Sequence, residues 1–246
     1  MIILENSRES QWCGFKRLDF DFEGRETIVI VPETPDDKGR WLLKTEYFGA
    51  YPNFEIEMVK RGFHLVHIKN KTRWHDDSDD IVKAHLCEFL HKEFSLQKKC
   101  MPVGMSCGGM QGIYFGAKYP QYVACLYLDA PVVNLLSCPG GFGDSQDTWI
   151  INEFLEHKGM TKTDLMYYTD HPYVYLPKLI EADIPIMLIC GDSDKIVPYI
   201  ENGKPLYDYY SANGGKITQI VKPGCDHHPH GLEDMTPLIE FTYDNY

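Results

Sequence analysis

The stretch Val103-Gly104-Met105-Ser106-Cys107-Gly108-Gly109-Met110-Gln111-Gly112 sets four glycines around one serine. An apolar run, Met101 to Met105, precedes the serine and a helical pattern, Gly108 to Lys118, follows it. Gly104-Met105-Ser106-Cys107-Gly108 is a G-x-S-x-G pattern between a strand and a helix, where the turn is so sharp that its apex residue is forced into strained backbone. Glycines two positions either side relieve the clash, and Gly109, with Gly112 one turn on, is read as allowing close packing. One residue conflicts with this reading: Pro102 lies inside the strand, where proline removes a ladder donor.

Working outward, strand-like and helical runs alternate. Phe15 to Phe22 and Thr27 to Val31 form a hairpin about Gly24; Trp41 to Thr45 is a strand, Asn53 to Lys60 a helix and Phe63 to Ile68 a strand. The crossover helix before Phe63 to Ile68 predicts parallel partners for it. Asp77 to Ser95 has a helical period and a cap in Ser78 or Asp77. Val123 to Leu128, Ile184 to Cys190 and Ile217 to Val221 read as strands, and Trp149 to His157, Lys204 to Ser211 and Met235 to Tyr243 as helices. This order predicts a mostly parallel, doubly wound sheet of about eight strands with helices on both faces.

The chain has 246 residues, 43% of them hydrophobic, and neither linker nor repeat, so a single domain over 1–246 is expected. Its net charge of −12 argues against nucleic acid and anionic membranes as partners and for a neutral small molecule. The start, MIILENSRESQWCGF, carries Glu5 and Glu9 and lacks a signal-peptide layout, and no apolar run reaches the ~20 residues of a membrane span. Eight cysteines scattered through apolar segments read as reduced thiols of a cytoplasmic protein.

Two later segments give Ser106 its context. Ile184 to Cys190 leads into Gly191-Asp192-Ser193-Asp194-Lys195-Ile196-Val197-Pro198, and Ile217 to Val221 leads into Lys222-Pro223-Gly224-Cys225-Asp226-His227-His228-Pro229-His230-Gly231. Serine, then aspartate, then histidine, each beyond a strand's carboxyl end, resembles the α/β-hydrolase superfamily over most of the chain. Within it, Glu46 to Ala50, Asp129-Ala130-Pro131, Cys138-Pro139-Gly140-Gly141 and His227 to Leu232 are similar to a group of bacterial hydrolases.

The resemblance implies Ser106 as nucleophile, His227 as general base and Asp194 as the acid that orients it, with Asp192 its rival and Asp226 a turn residue. The backbone N–H of Cys107, with that of Glu46 or Tyr47, would form the oxyanion hole. Glu46 then needs to point away or to pair, with Lys44 or Arg73 for instance. Cys107 itself is read as a small helix-start residue, because the apex belongs to Ser106.

The resemblance also implies a short lid at about 138–182, whose aromatic residues, Trp149 and Tyr173 with His228 of the later loop, would bind substrate. The expected chemistry is cleavage of an ester with a small or carbohydrate-linked acyl group; thioesterase, peptidase or acyltransferase activity, or a non-catalytic binding module, are the alternatives. No cofactor is expected. His227, His228 and His230 have the composition of a metal site, but neighbours in one turn rarely converge, so no metal is expected there. Trp74 to Asp80 reads as a solvated helix start.

Overall fold

The computed structural model describes residues 7–146 and 149–246. The apolar start and Glu5 lie outside them. Strands β1 (Arg8–Trp12), β2 (Phe15–Phe22), β3 (Arg25–Val31), β4 (Trp41–Lys44), β5 (His64–Ile68), β6 (Met101–Met105), β7 (Leu126–Asp129), β8 (Ile186–Gly191) and β9 (Ile217–Lys222) form one sheet. Their order is β1-β2-β3-β5-β4-β6-β7-β8-β9. The nine strands exceed the expected eight by β1, whose sequence RESQW has no apolar alternation and lies almost wholly exposed on the sheet edge.

From β5 to β9 every pairing is parallel, whereas β5 pairs antiparallel with β3 on its other side. The expectation that β5 has only parallel partners is therefore corrected. A crossover constrains the relation to β4, through α1 (Asn53–Lys60), but leaves the second edge of β5 free to take the returning hairpin strand.

Strands β4 to β8 are buried at every position, which only helices on both faces can achieve. Side-chain alternation sends Leu43, Val66, Leu128 and Leu188 to one face, against α2 (Asp77–Phe94), α3 (Cys107–Lys118), α6 (Leu176–Glu181) and α7 (Gly203–Ala212). Leu42, Leu65, Val103 and Met187 go to the other, against α1 and α8 (Thr236–Asn245). Between β7 and β8 the chain adds the short helices α4 (Ile151–Lys158) and α5 (Lys162–Leu165) before α6. Asp76, not Ser78 or Asp77, caps α2: its carboxylate accepts the Ser78 N–H at 2.9 Å, while Asp77 reaches Lys118.

Pro102 sits within β6 opposite Leu43, and the sheet accommodates it with a bulge. Cys100 bridges Val123, and regular pairing with β7 resumes at Val103 and Tyr127, so three steps along β6 match four along its neighbour. The Cys100 N–H donates to Tyr122 on that side. Alternate residues of a parallel strand face the same neighbour, so the N–H that proline lacks falls in the interrupted stretch.

The glycines of α3 differ in kind. A Cβ on Gly109 would meet Pro131 Cβ at 2.5 Å and Cα at 2.9 Å, but one on Gly112 would find its nearest neighbours at 3.7 Å. Gly112 therefore does not serve close packing as expected. Gly109→Ala should lower stability by about 1–3 kcal/mol through overpacking against a rigid ring, whereas Gly112→Ala should be neutral or raise it by up to ~1 kcal/mol. Urea unfolding of the two variants checks the contrast.

His64 of β5 is 6% exposed, and its Nδ1 has no hydrogen-bond partner among the described residues. Burial pushes its pKa down to about 4, with the Asp36 carboxylate opposing. Below its ordinary value of ~6.5 the unfolded chain takes up a proton that the folded chain refuses, so stability falls as the pH drops from there to about 4. The loss is roughly 3 kcal/mol from this group. Urea midpoints at pH 7 and pH 4.5 should differ less in His64→Leu than in the parent.

Candidate active site

At the end of β6 the chain turns straight into α3, and Ser106 at the apex has φ 52° and ψ −120°, a strained conformation for a residue with a Cβ. Its backbone is tied down on both sides: its N–H donates to Asp129 O at 2.9 Å, and its carbonyl accepts from Gly109 and Val132. A Cβ on Gly104 would come within 2.3 Å of Gly108 O, and one on Gly108 within 3.1 Å of Thr45 Oγ1 and 3.2 Å of Glu46 Cβ. The glycines thus let the Thr45–Glu46 turn and the helix start close on the serine.

Ser106 opens into a cavity of about 420 Å³, whose wall includes Tyr47, Tyr51, Arg73, Trp149, His227 and His230. His227, 6% exposed, arrives on the loop after β9 and donates from Nδ1 to Asp194 Oδ2 at 2.7 Å. Asp194 sits beyond β8, with its other oxygen accepting the N–H groups of Ile196 and Val197 at 2.8 Å each. Three donors hold one carboxylate, so the imidazole it grips is held in one orientation.

The other carboxylates have structural partners instead. Asp192 accepts the Gly224 N–H at 2.7 Å, joining the two loops. Asp226 accepts the N–H groups of Lys195 and His227, which lower its pKa.

The turn after β4 departs from expectation in its pairing. Glu46 accepts from Asn70 Nδ2 at 2.8 Å, because Lys44 is fully buried against Glu55 and Arg73 is forked onto Glu153 of α4. Tyr47 has φ 53° and lines the cavity beside Cys107. Burial pushes the Tyr47 phenol well above its ordinary range, with the Cys107 thiol adding and Arg73 opposing. Burial likewise pushes the Cys107 thiol up to about 12, which leaves it protonated and unreactive at neutral pH.

Of the expected substrate contacts, Trp149 and His228 line the cavity and Tyr173 does not. Tyr173 packs on Tyr209 at 5.5 Å and borders a separate hollow with His171 and Glu201, because the 3-10 turn Pro172–Tyr175 that leads into α6 sets it against α7. The three histidines of the β9 loop converge, contrary to expectation: one ring nitrogen from each lies within 4.8 Å of the others.

Asp129, at the end of β7, is a site residue that sequence reasoning did not single out. It accepts from His230 Nδ1 at 2.8 Å, from the Gly231 N–H at 2.6 Å and from the Tyr127 hydroxyl at 3.0 Å. Burial raises its pKa, but His230 foremost, with the Gly231 N–H and the Lys222 charge, outweighs it and holds the carboxyl below its ordinary value. Its signal was a carboxylate at the carboxyl end of a central strand.

The prolyl oligopeptidase family model matches residues 60–241, from the end of α1 to the last helix. The chain belongs to this family. It has the α/β-hydrolase fold, in agreement with the resemblance read from the sequence, and it spans under two fifths of the length of the larger peptidases it resembles. Among solved structures, a carbohydrate esterase from gut microbiota, in truncated form, has a TM-score of 0.69 at 14% identity, over 89% of this chain and 90% of that one. An esterase from Pyrococcus furiosus has 0.62 at 17%, over 89% and 86%. An acylaminoacyl peptidase from Pyrococcus horikoshii has 0.64 at 15%, over 91% of this chain but 38% of its own length. Identities this low show the shared fold alone. Among the described residues no helix is long and apolar enough to cross a membrane.

The two carboxylates after β8 make separable predictions. Asp194→Asn should slow fluorophosphonate labelling of Ser106 by on the order of 10³–10⁴, the cost of losing the carboxylate that sets an imidazole's tautomer. Asp192→Asn should leave the labelling rate within a few-fold, since its amide oxygen still accepts from Gly224. Timed labelling followed by intact-mass measurement separates them.

Proposed function

We propose that the protein hydrolyses esters of small or carbohydrate-linked acyl groups through an acyl-enzyme on Ser106. The observation that carries this is the shared cavity, which is lined by both the strained serine and a histidine gripped by a buried aspartate. A serine hydroxyl becomes a useful nucleophile only when an imidazole accepts its proton. In this reading His227 Nε2 takes the Ser106 proton as Oγ bonds to the carbonyl carbon, and returns it to the departing alcohol. Water then attacks the acyl-enzyme, His227 taking its proton and returning it to Ser106 Oγ as the acid leaves. The Asp194 carboxylate stabilises the imidazolium in both halves. The Cys107 N–H, with that of Glu46 or Tyr47, receives the oxyanion charge.

The aromatic lining of the cavity favours a compact, partly polar substrate. Trp149 is 72% exposed, with the Arg73 guanidinium 5.9 Å from its ring centre; Tyr47 also lines the cavity, as does Tyr51, which stacks on His228. Aromatic faces of this kind stack on sugar rings, and a cavity of about 420 Å³ suits a small acyl group better than a long chain. The carbohydrate esterase neighbour supports the same class. The family match and the peptidase neighbour keep peptide bonds as the competing substrate. We place the protein in the cytoplasm, acting on a neutral small molecule without nucleic acid, membrane or cofactor, a reading supported by its acidity, its buried thiols and the chemistry above.

A panel of p-nitrophenyl acetate, p-nitrophenyl octanoate, acetylated oligosaccharides and dipeptide p-nitroanilides tests the reading. The acetates should be cleaved with the highest kcat/KM, Ser106→Ala should abolish turnover, and Trp149→Ala should raise KM for the acetylated sugar more than it lowers kcat. Faster cleavage of the anilides than of any ester would assign the site to peptides instead.

A further inference from the structure

The loop after β9 presents three histidines in four residues, and their rings meet. Ring centres are 4.9 Å apart for His227 and His228, 4.8 Å for His227 and His230, and 5.0 Å for His228 and His230. Two of the three are held as metal-binding histidines are held. His227 gives Nδ1 to Asp194 at 2.7 Å, and His230 gives Nδ1 to Asp129 at 2.8 Å. A carboxylate on the far nitrogen fixes the ring and its tautomer and makes the Nε2 lone pair more basic. Serine chemistry uses one such pair, and the second, His230 with a buried Asp129, has no task in it. Among the described residues no carboxylate bonds the His228 ring, which is exposed and stacks on Tyr51 at 5.5 Å.

We propose that His227, His228 and His230 bind a divalent transition-metal ion, zinc foremost, and that the bound ion withdraws the base from catalysis. Three imidazoles suit zinc and not magnesium or calcium, which take oxygen ligands. Tetrahedral zinc with Zn–N of ~2.0–2.1 Å needs its nitrogens roughly 3.4 Å apart. One ring nitrogen from each lies within 4.8 Å of the others, so closing on an ion asks for shifts of at most about 1.4 Å per pair, from rotation of the exposed His228 ring and small movements of the His227 and His230 rings. The fourth position would face the cavity and take a water.

The consequence for activity follows from one lone pair. His227 Nε2 can accept the Ser106 proton or donate to zinc, but not both. Metal binding and acylation of Ser106 then exclude each other, and zinc becomes a reversible off-switch. The exclusion rests on His227 acting as the base, whereas the binding itself does not. The other metal-like cluster, His75, Asp77 and Asp80, carries no such proposal, because Lys118 Nζ already lies 2.5 Å from Asp77 and 3.6 Å from Asp80.

The test uses the whole protein after EDTA treatment and buffer exchange. Zinc is titrated against a chromogenic chelator, cobalt(II) is added as a visible-spectrum probe, and Ser106 is labelled with fluorophosphonate at each zinc concentration. The expected result is one zinc per chain, a cobalt spectrum of tetrahedral nitrogen coordination, and protection of Ser106 that EDTA reverses. His228→Ala and His230→Ala should each weaken zinc binding by at least about tenfold, while Ser106→Ala and Cys225→Ser retain it. Circular dichroism confirms that the variants fold; His228, being exposed, should tolerate alanine. Failure of the folded parent to bind zinc stoichiometrically, or unchanged binding in both histidine variants, overturns the site. Stoichiometric binding that leaves labelling unaffected overturns the switch. Failure of metal-free parent to label would instead count against Ser106 as nucleophile, and the zinc titration would still decide the site.

Discussion

The strained turn at Ser106 is the constraint around which the rest of the molecule is arranged. A residue with a Cβ at φ 52° persists only where its surroundings over-determine it. Here the central strand β6 delivers it, Asp129 O holds its N–H, and Gly109 and Val132 hold its carbonyl. The close approaches at Gly104 and Gly109 leave no room for a side chain, and those at Gly108 are tight enough that Thr45 and Glu46 would have to shift. The strain exposes one hydroxyl to a cavity while its backbone stays inside the sheet's carboxyl edge.

The remaining site groups are locked to that edge by their own carboxylates. Asp192 bonds the Gly224 N–H and Asp226 the Lys195 N–H, so the loops after β8 and β9 clamp each other. Asp129 bonds His230 and Gly231, which fastens the second of those loops to β7, the strand whose last carbonyl also holds Ser106. Three neighbouring strands thereby fix one loop, and the two histidine–aspartate pairs are products of the same scaffold. Whatever displaces that loop displaces both.

Parallel strands were legible because burial on both faces writes them as apolar runs, as in Ile186 to Gly191. The edge strand β1 was not, since RESQW faces water and is ordered by its pairing with β2. Pro102 looked like a contradiction and is an accommodated one, because a bulge in the neighbouring strand removes the demand for its N–H. Tyr173 shows the opposite error: an aromatic residue in the segment between β7 and β8 reads as a pocket residue until the short turn that carries it is seen to pack against α7. Glu46 is a third case, where the partner was Asn70, just past a strand end two elements away, and not the cations Lys44 or Arg73.

By itself the sequence determined the order of the buried strands and their main helices, the glycine-flanked turn, and the succession of Ser106, Asp194 and His227, because these follow from periodicity, backbone sterics and residue type along the chain. Only the tertiary structure decided which carboxylate holds which imidazole, that Asp129 belongs beside His230, and that three histidines in one loop converge. Those are relations between side chains brought together by sheet pairing across as many as 101 residues of chain. Local sequence carries no record of a distance that the whole fold must create.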